Sequence, residues 1–326
     1  MKNVMLYPLV TLDLSEEKTV KKRVLIIGGV SAEINMDVST PANDGEEVFE
    51  GFDYEIAPGS SAGIAACAVS RLGGEVILCS AIGNDEYGSS LLSFFGDAGM
   101  DTRFVKTVKG EKTDICACIC GGESRTYRRN ALVKSIDADL VEDAFTTLPD
   151  AVYVSLDIPH EAAVRAAELA REKNVLTFFD GERISEDFPL EDLGDIDLIA
   201  LPPNATERIT GIFPRDAQSN LRAAVELHKT LRAKTYMLKH GVGGAFEYKG
   251  NFSYFVPYVE GARCGYRDLL VPAMIIENLR SGKSVRATRY ASAVIALASK
   301  KSGSVAGTIP GESEVLRYIL ENEVEL

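Results

Sequence analysis

Basic residues are in short supply in this chain. Acids outnumber Lys and Arg by 48 to 35 over 326 residues, leaving a formal net charge of −13. A phosphate backbone demands a basic face, so nucleic acid is excluded as the main partner, while a local basic pocket for a small anion stays open. Long apolar runs are missing too, and none approaches the roughly 18 residues that cross a bilayer. Residues 1–22 hold a short apolar patch followed by acids, without the longer apolar core and cleavage site of a secretion signal. A cytoplasmic protein with no membrane partner is expected. Histidine is scarce: His160, His228 and His240 are scattered, and the six cysteines show no CxxC spacing, so no familiar zinc motif is present. Cys116, Cys118 and Cys120 alternate in "DICACICGG" and share one face of any strand they form, where reduced apolar side chains are the simplest account. Nothing indicates a disulfide framework, an internal repeat or a low-complexity linker.

What is present is the 46% hydrophobic and 25% charged balance of a soluble globular chain. "RVLIIGGV" at 23–30 reads as a buried parallel strand, whereas "EEVFEGFDYEIAPG" alternates like a half-exposed strand pair. "SSAGIAACAVSRLGG" is a small-residue helix with Ser60 or Ser61 as its cap and Gly73-Gly74 as its stop. "EVILCSAIG" is a strand, followed by a helix opened by Asn84 or Asp85 and closed near Gly99. "DTRFVKTV", "DICACICGG" and "SRTYRRN" are short strands. Helices at 138–147, 160–173 and 216–232 then alternate with "AVYVSLDI", "VLTFFDG", "DIDLIALPP" and "TYMLKHG" as strands, and a short helix capped by Asn204 intervenes. A hairpin turned at Lys249-Gly250-Asn251 precedes helices at 268–281 and 284–300. This rhythm predicts a doubly wound sheet with helices on both faces and ligands beyond the C-terminal strand ends. The β-rich pieces that break it form a small separate sheet, a lid over that edge.

The stretch "PGSSAGIAACAVSRLGGEVILCSAIGNDEYGSSLLSFFGDAGMDTRFV" resembles the PfkB, or ribokinase-like, family of carbohydrate kinases. Gly59, Arg71-Leu72-Gly73, Gly83-Asn84-Asp85 with Gly88, and Gly99-Met100-Asp101 carry the likeness in order and spacing. "PPNATERITG", "LKHGVGGAFEY" and "GARCGYRDLLVPAM" extend it downstream. The resemblance implies a mostly parallel, ribokinase-like sheet over 23–326 with lid strands at about 41–58 and 102–128, preceded by an N-terminal extension of residues 1–22. It also implies ATP and Mg²⁺, a sugar or sugar-acid substrate, and a homodimer paired through the lid.

Residue by residue, Asp268 matches the family's catalytic base, which accepts the proton of the sugar hydroxyl. Gly265 matches the first glycine of the anion-binding turn, while Tyr266 and Arg267 replace its small residues. Arg267 either places a guanidinium on the phosphate or fills its space, and the second option describes an impaired member that binds nucleotide or metabolite without turnover. On the sugar side stand Glu33, Gly59, Ser60 and Gly63, the last lacking the family's Asn side chain, with Arg128 in the lid suited to an acidic substrate. On the nucleotide side stand Asn204, Glu207, Lys239, Gly241 and Gly244, with Glu207 reaching the metal through water. An NAD-dependent oxidoreductase suits the α/β rhythm, but "GGVSAE" lacks the G-x-G-x-x-G that a pyrophosphate requires.

Overall fold

The sequence Val24–Ile27 places alternate side chains in two separate cores. Val24 and Ile26 join one hydrophobic cluster, and Leu25 and Ile27 the other. A strand can do this only when both faces of its sheet are covered. The structure, a computed structural model, describes residues 21–38, 51–120, 125–239, 244–250, 253–257 and 266–322.

In chain order, β1 (Arg23–Ile27) leads to β2 (Ser31–Val38), β3 (Gly51–Gly59) and α1 (Ser60–Arg71). There follow β4 (Glu75–Gly83), α2 (Glu86–Asp97), β5 (Asp101–Val108), β6 (Ile115–Cys120) and β7 (Arg125–Arg128). The regular half comprises α3 (Ala138–Phe145), β8 (Ala151–Ser155), α4 (His160–Lys173), β9 (Leu176–Asp180) and β10 (Ile196–Leu201). It continues with α5 (Pro203–Thr210), α6 (Ala217–Thr230), β11 (Ala233–Lys239), β12 (Gly244–Tyr248) and β13 (Ser253–Pro257). A 3-10 turn at Tyr266–Leu269 opens α7 (Leu270–Ser281), and α8 (Ser284–Ser299), α9 (Val305–Thr308) and α10 (Glu312–Glu321) complete the chain.

The main sheet has the order β13-β12-β11-β10-β9-β8-β1-β4-β5, parallel except for the antiparallel pairings of β12 and β13. From β1 the chain moves outward through β4 and β5, then returns to β8 on the other side of β1. The strand order therefore reverses at β1, which leaves a crevice at the C-terminal ends of β1 and β8. Helices α1, α7 and α8 pack their Ala, Val and Ile residues on one face, and α3, α4 and α6 cover the other. The second sheet, β3-β2-β6-β7, is made of the two chain excursions that leave β1 and β5. It forms the lid.

Several expectations change. β5 pairs in parallel with β4, so 102–108 belongs to the main sheet and not to the lid, whereas β2, which follows the first expected strand and is assigned no element by pattern, is a lid strand. Residues 41–50 and 1–20 lie outside the described residues. Gly59 caps α1, and Ser60 is its first residue, at φ 63°. Asn204 sits inside α5, which Pro202 caps, because proline at the first helical position supplies a preset φ. The lid is also tied to the body: Glu55 on β3 accepts from the backbone N–H of Ser304 at 2.7 Å and from its hydroxyl at 2.9 Å, just before α9.

The Gly83-Asn84-Asp85 motif with Gly88 proves structural. The Asp85 carboxylate accepts from the backbone N–H of Gly88 (3.0 Å), capping α2, and from the N–H (2.9 Å) and hydroxyl (2.5 Å) of Thr113, where the chain turns toward β6. A Cβ on Gly83 would fall 2.2 Å from the Thr113 nitrogen, so only glycine lets these segments meet. Burial pushes the Asp85 carboxyl up, but the hydrogen bonds from Thr113 and Gly88 outweigh it, so its pKa lies below the usual value. That stabilisation is complete above the unfolded pKa of about 3.9 and is lost as pH falls through the lower folded value. Asp85→Ala is expected to lose about 2 kcal/mol at neutral pH. In urea melts the gap from the wild type should close only below about pH 4; a gap insensitive to acid would refute the assignment.

Candidate active site

A cavity of about 670 Å³ lies between the inner face of the lid and the C-terminal ends of the central strands. The lid's contribution follows from alternation. In register, Glu33 stands opposite Cys116 and Asn35 opposite Cys118, while Arg128 faces Cys116 and Thr126 faces Cys118 from the next strand. All six side chains line the cavity, and so does Cys120. The body contributes Glu182 and Arg183 from the loop after β9, Asn204 and Arg208 from α5, and Tyr266, Arg267 and Asp268 from the turn before α7.

Asp268 is 3% exposed. Its Oδ2 lies 3.7 Å from Nη2 of Arg183, an ion pair long enough to leave both groups incompletely satisfied. Oδ1 of Asp268 and Nη1 of Arg183 are buried without a hydrogen-bond partner among the described residues. Buried polar atoms are nearly always paired, so two such atoms facing one cavity mark a place for a polar ligand. Burial disfavours the Arg183 cation, but Asp268 and Asp157 overcome this and keep it above its usual pKa.

Beneath them runs a chain of buried charges. Lys239, at the end of β11, has a fully buried side chain and donates to both Asp180 oxygens at 2.8 and 3.0 Å and to Glu182 at 3.4 Å. Tyr153 donates to Asp180 at 3.2 Å. Glu182 also receives Arg267 at 2.5 Å. Burial tends to neutralise Lys239, but Asp180 and Glu182 hold its pKa above the ordinary value, so it stays a cation. Burial raises Glu182, with Lys239 and Arg267 pulling the other way. Glu33 is raised as well, first by burial, although Asn35 donates to it at 3.1 Å.

Residues 21–262 match the family described as pfkB family carbohydrate kinase. The chain belongs to that family. The ribokinase of Haemophilus influenzae is 24% identical over 319 residues, spanning 92% of this chain and 99% of its own. A 5-dehydro-2-deoxygluconokinase of Clostridium beijerinckii is 24% identical over half of each chain. Among solved structures, Arabidopsis thaliana ribokinase complexed with ribose and ATP superposes with a TM-score of 0.77 at 17% identity, over 92% of this chain and 99% of that one. Ribokinase from Giardia lamblia gives 0.80 at 16% identity, over 93% and 100%. Membership of a carbohydrate kinase family and a ribokinase-like fold with a small lid sheet therefore agree with the sequence reading.

Within this frame the expected site residues divide. Asp268, Tyr266, Arg267, Glu33, Arg128 and Asn204 meet on the cavity wall. Gly59 and Ser60 lie behind it: a Cβ on Gly59 would sit 2.7 Å from Cβ of Glu33, and the Ser60 hydroxyl pairs with that of Ser31 at 3.1 Å. Gly63 is buried in α1, where an added Cβ would meet only ordinary contacts. Lys239 is corrected from a phosphate contact to a buried anchor, because three acceptors already surround its ammonium. Glu207 is exposed on α5 and outside the cavity wall, so the metal role assigned to it is not supported. Gly241 and Gly265 lie outside the described residues, and Gly244 begins β12. Arg267 answers the question its position raised, for it turns aside to Glu182.

Sequence reasoning missed Asp180, Glu182 and Arg183. Their signal was "FFDGER", two acids and an arginine where a buried strand ends, at the edge where ligands of such sheets bind. Lys239→Met should lower unfolding stability by about 3–5 kcal/mol, since it strands two buried carboxylates. A denaturant midpoint close to wild type would show that the ions are not coupled.

Proposed function

We propose that this chain transfers the terminal phosphoryl group of ATP to a hydroxyl of a sugar or sugar acid. The observation that carries the reading is the unpartnered, buried Oδ1 of Asp268 on the cavity wall, at the mouth of the turn leading into α7. A carboxylate in that position is placed to hold a substrate hydroxyl and take its proton. The hydroxyl oxygen bonds to the γ-phosphorus as the bond from phosphorus to the ADP oxygen breaks. The proton passes to Asp268 and then to solvent.

Arg183, with its unpartnered Nη1, lines the same wall and favours the negative charge of a phosphate, while Arg267 beside it is held by Glu182. These residues fit a polyphosphate. For Mg²⁺, which keeps several waters and takes one or two carboxylates together with substrate phosphates, Glu182 and Asp268 are the groups available. When bound, the ion neutralises charge shared between phosphates. Asn204 and Arg208 mark the nucleotide side, on α5. Glu33, Asn35 and Arg128 mark the sugar side, under the lid, where Arg128 suits a carboxylate or phosphate on the substrate. The lid excludes water, which competes for the phosphoryl group.

The outer lid face carries the complementary parity. Tyr54, Ile56 and Tyr127 are 68%, 51% and 63% exposed, and they cluster by register with Ile34, Met36 and Ala117. Exposed apolar area of this kind supports a homodimer paired through the lids. The five described cysteines are free, which fits a reducing compartment such as the cytoplasm. No helix among the described residues is long and apolar enough to cross a membrane.

Asp268→Asn is expected to cut turnover by about 10²–10⁴-fold, measured as ADP release with a panel of sugars and sugar acids. The thermal shift given by ATP should persist in that variant. Ligand binding without turnover in the wild type would replace this reading with that of a binding protein. Ile56→Glu should shift the wild-type dimer to monomer in sedimentation velocity, and a wild type that sediments as a monomer would refute the assembly.

A further inference from the structure

The parallel pairing of β2 and β6 brings a carboxylate to the cysteine row. Glu33 lies opposite Cys116, and Cys118 follows on the same face. The Sγ atoms of Cys116 and Cys118 are 3.8 Å apart, and with a Glu33 oxygen the three atoms lie within 4.8 Å of one another. Two thiolates bound to tetrahedral zinc at about 2.3 Å each stand about 3.8 Å apart. The sulfurs are therefore already at the spacing of an edge of that tetrahedron, and a rotamer adjustment of Glu33 completes a face. Neighbours steady the donors: Asn35 donates to Glu33 at 3.1 Å, and the Thr126 hydroxyl lies 3.6 Å from Sγ of Cys118.

We propose that Glu33, Cys116 and Cys118 form a binding site for a borderline-soft divalent cation of the zinc class. The fourth position opens to the cavity, where water or a ligand heteroatom completes the shell. On binding, the two thiols release their protons to solvent. Two thiolates and one carboxylate leave the loaded site with one net negative charge, and Arg128, opposite Cys116, stands beside it. Two sulfurs in three ligands select against hard cations such as Mg²⁺. Loading would also withdraw Glu33 from a sugar substrate. That consequence rests on the kinase reading, but the ion site itself does not.

Reduced, chelator-stripped full-length protein is titrated with Co²⁺ and followed by absorbance, then challenged with Zn²⁺. The expected result is one Co²⁺ per chain, with a thiolate charge-transfer band and visible bands of tetrahedral geometry, displaced by zinc. Both signals should vanish in Cys116→Ala and in Cys118→Ala, and affinity should drop at least about tenfold in Glu33→Gln. Cys120→Ala should bind like the wild type. No thiolate band in the wild type, or a band that survives either cysteine substitution, overturns the site. Should Cys116→Ala fail to fold by circular dichroism, Cys118→Ala, at a half-buried position, decides alone. A chain that binds Co²⁺ as described yet, once stripped of it and supplied with ATP and Mg²⁺, phosphorylates no sugar would refute the kinase reading and leave this site standing.

Discussion

The ammonium of Lys239 holds together the edge of the sheet on which the rest of the site is built. It ends β11 with no solvent contact and fastens two acids of the β9 end, Asp180 directly and Glu182 two residues later. A buried cation is tolerable only when fully paired, and a buried acid only when a cation or hydrogen bond answers it. The two requirements fix each other. Once Glu182 is held, Arg267 has its partner, and the turn carrying Asp268 is drawn toward the loop carrying Arg183. The site is thus an electrostatic continuation of the sheet edge, and its geometry is set from the fully buried pair of Lys239 and Asp180 outward.

The lid obeys a different rule, the two-residue repeat of a strand. One parity, Glu33, Asn35, Cys116, Cys118, Thr126 and Arg128, faces the cavity. The other, Ile34, Met36, Tyr54, Ile56 and Tyr127, faces outward. A single sheet therefore presents a polar surface to the cavity and an apolar one to the outside, and a one-residue slip in register would exchange the two. The bulge between Asp37 and Val38 lies at the far end of β2, beyond the residues that line the cavity.

Much of the architecture was legible because both periodicities were strong. The buried apolar runs from β1 to β11 and the helices between them follow directly from pattern, and α4 begins and ends where its spacing places it. The placement of β5 was not legible: a half-exposed edge strand of a parallel sheet and a lid strand have the same alternating composition, and only pairing separates them. Helix α10, strongly amphipathic, was passed over because the reading stopped at the second C-terminal helix. In the site, Asp268 was found because a turn-then-helix motif is local. Glu182 and Arg183 were missed because their partners, Lys239 and Asp268, lie more than fifty positions away. Lys239 was misassigned for the same reason, since a strand-end lysine looks solvated until its acids are known.

The bond between Glu55 and Ser304 has a consequence for motion. The small sheet leaves the body at its β1 and β5 connections and is fastened again, by a carboxylate, to the start of α9. A sheet held at its root and at its rim is a shut door with a latch. Two hydrogen bonds to a carboxylate contribute on the order of 3 kcal/mol to holding the sheet against the body. Any swing of the sheet away from the chamber must first break that latch, whose two residues, Glu55 and Ser304, stand outside the chamber wall.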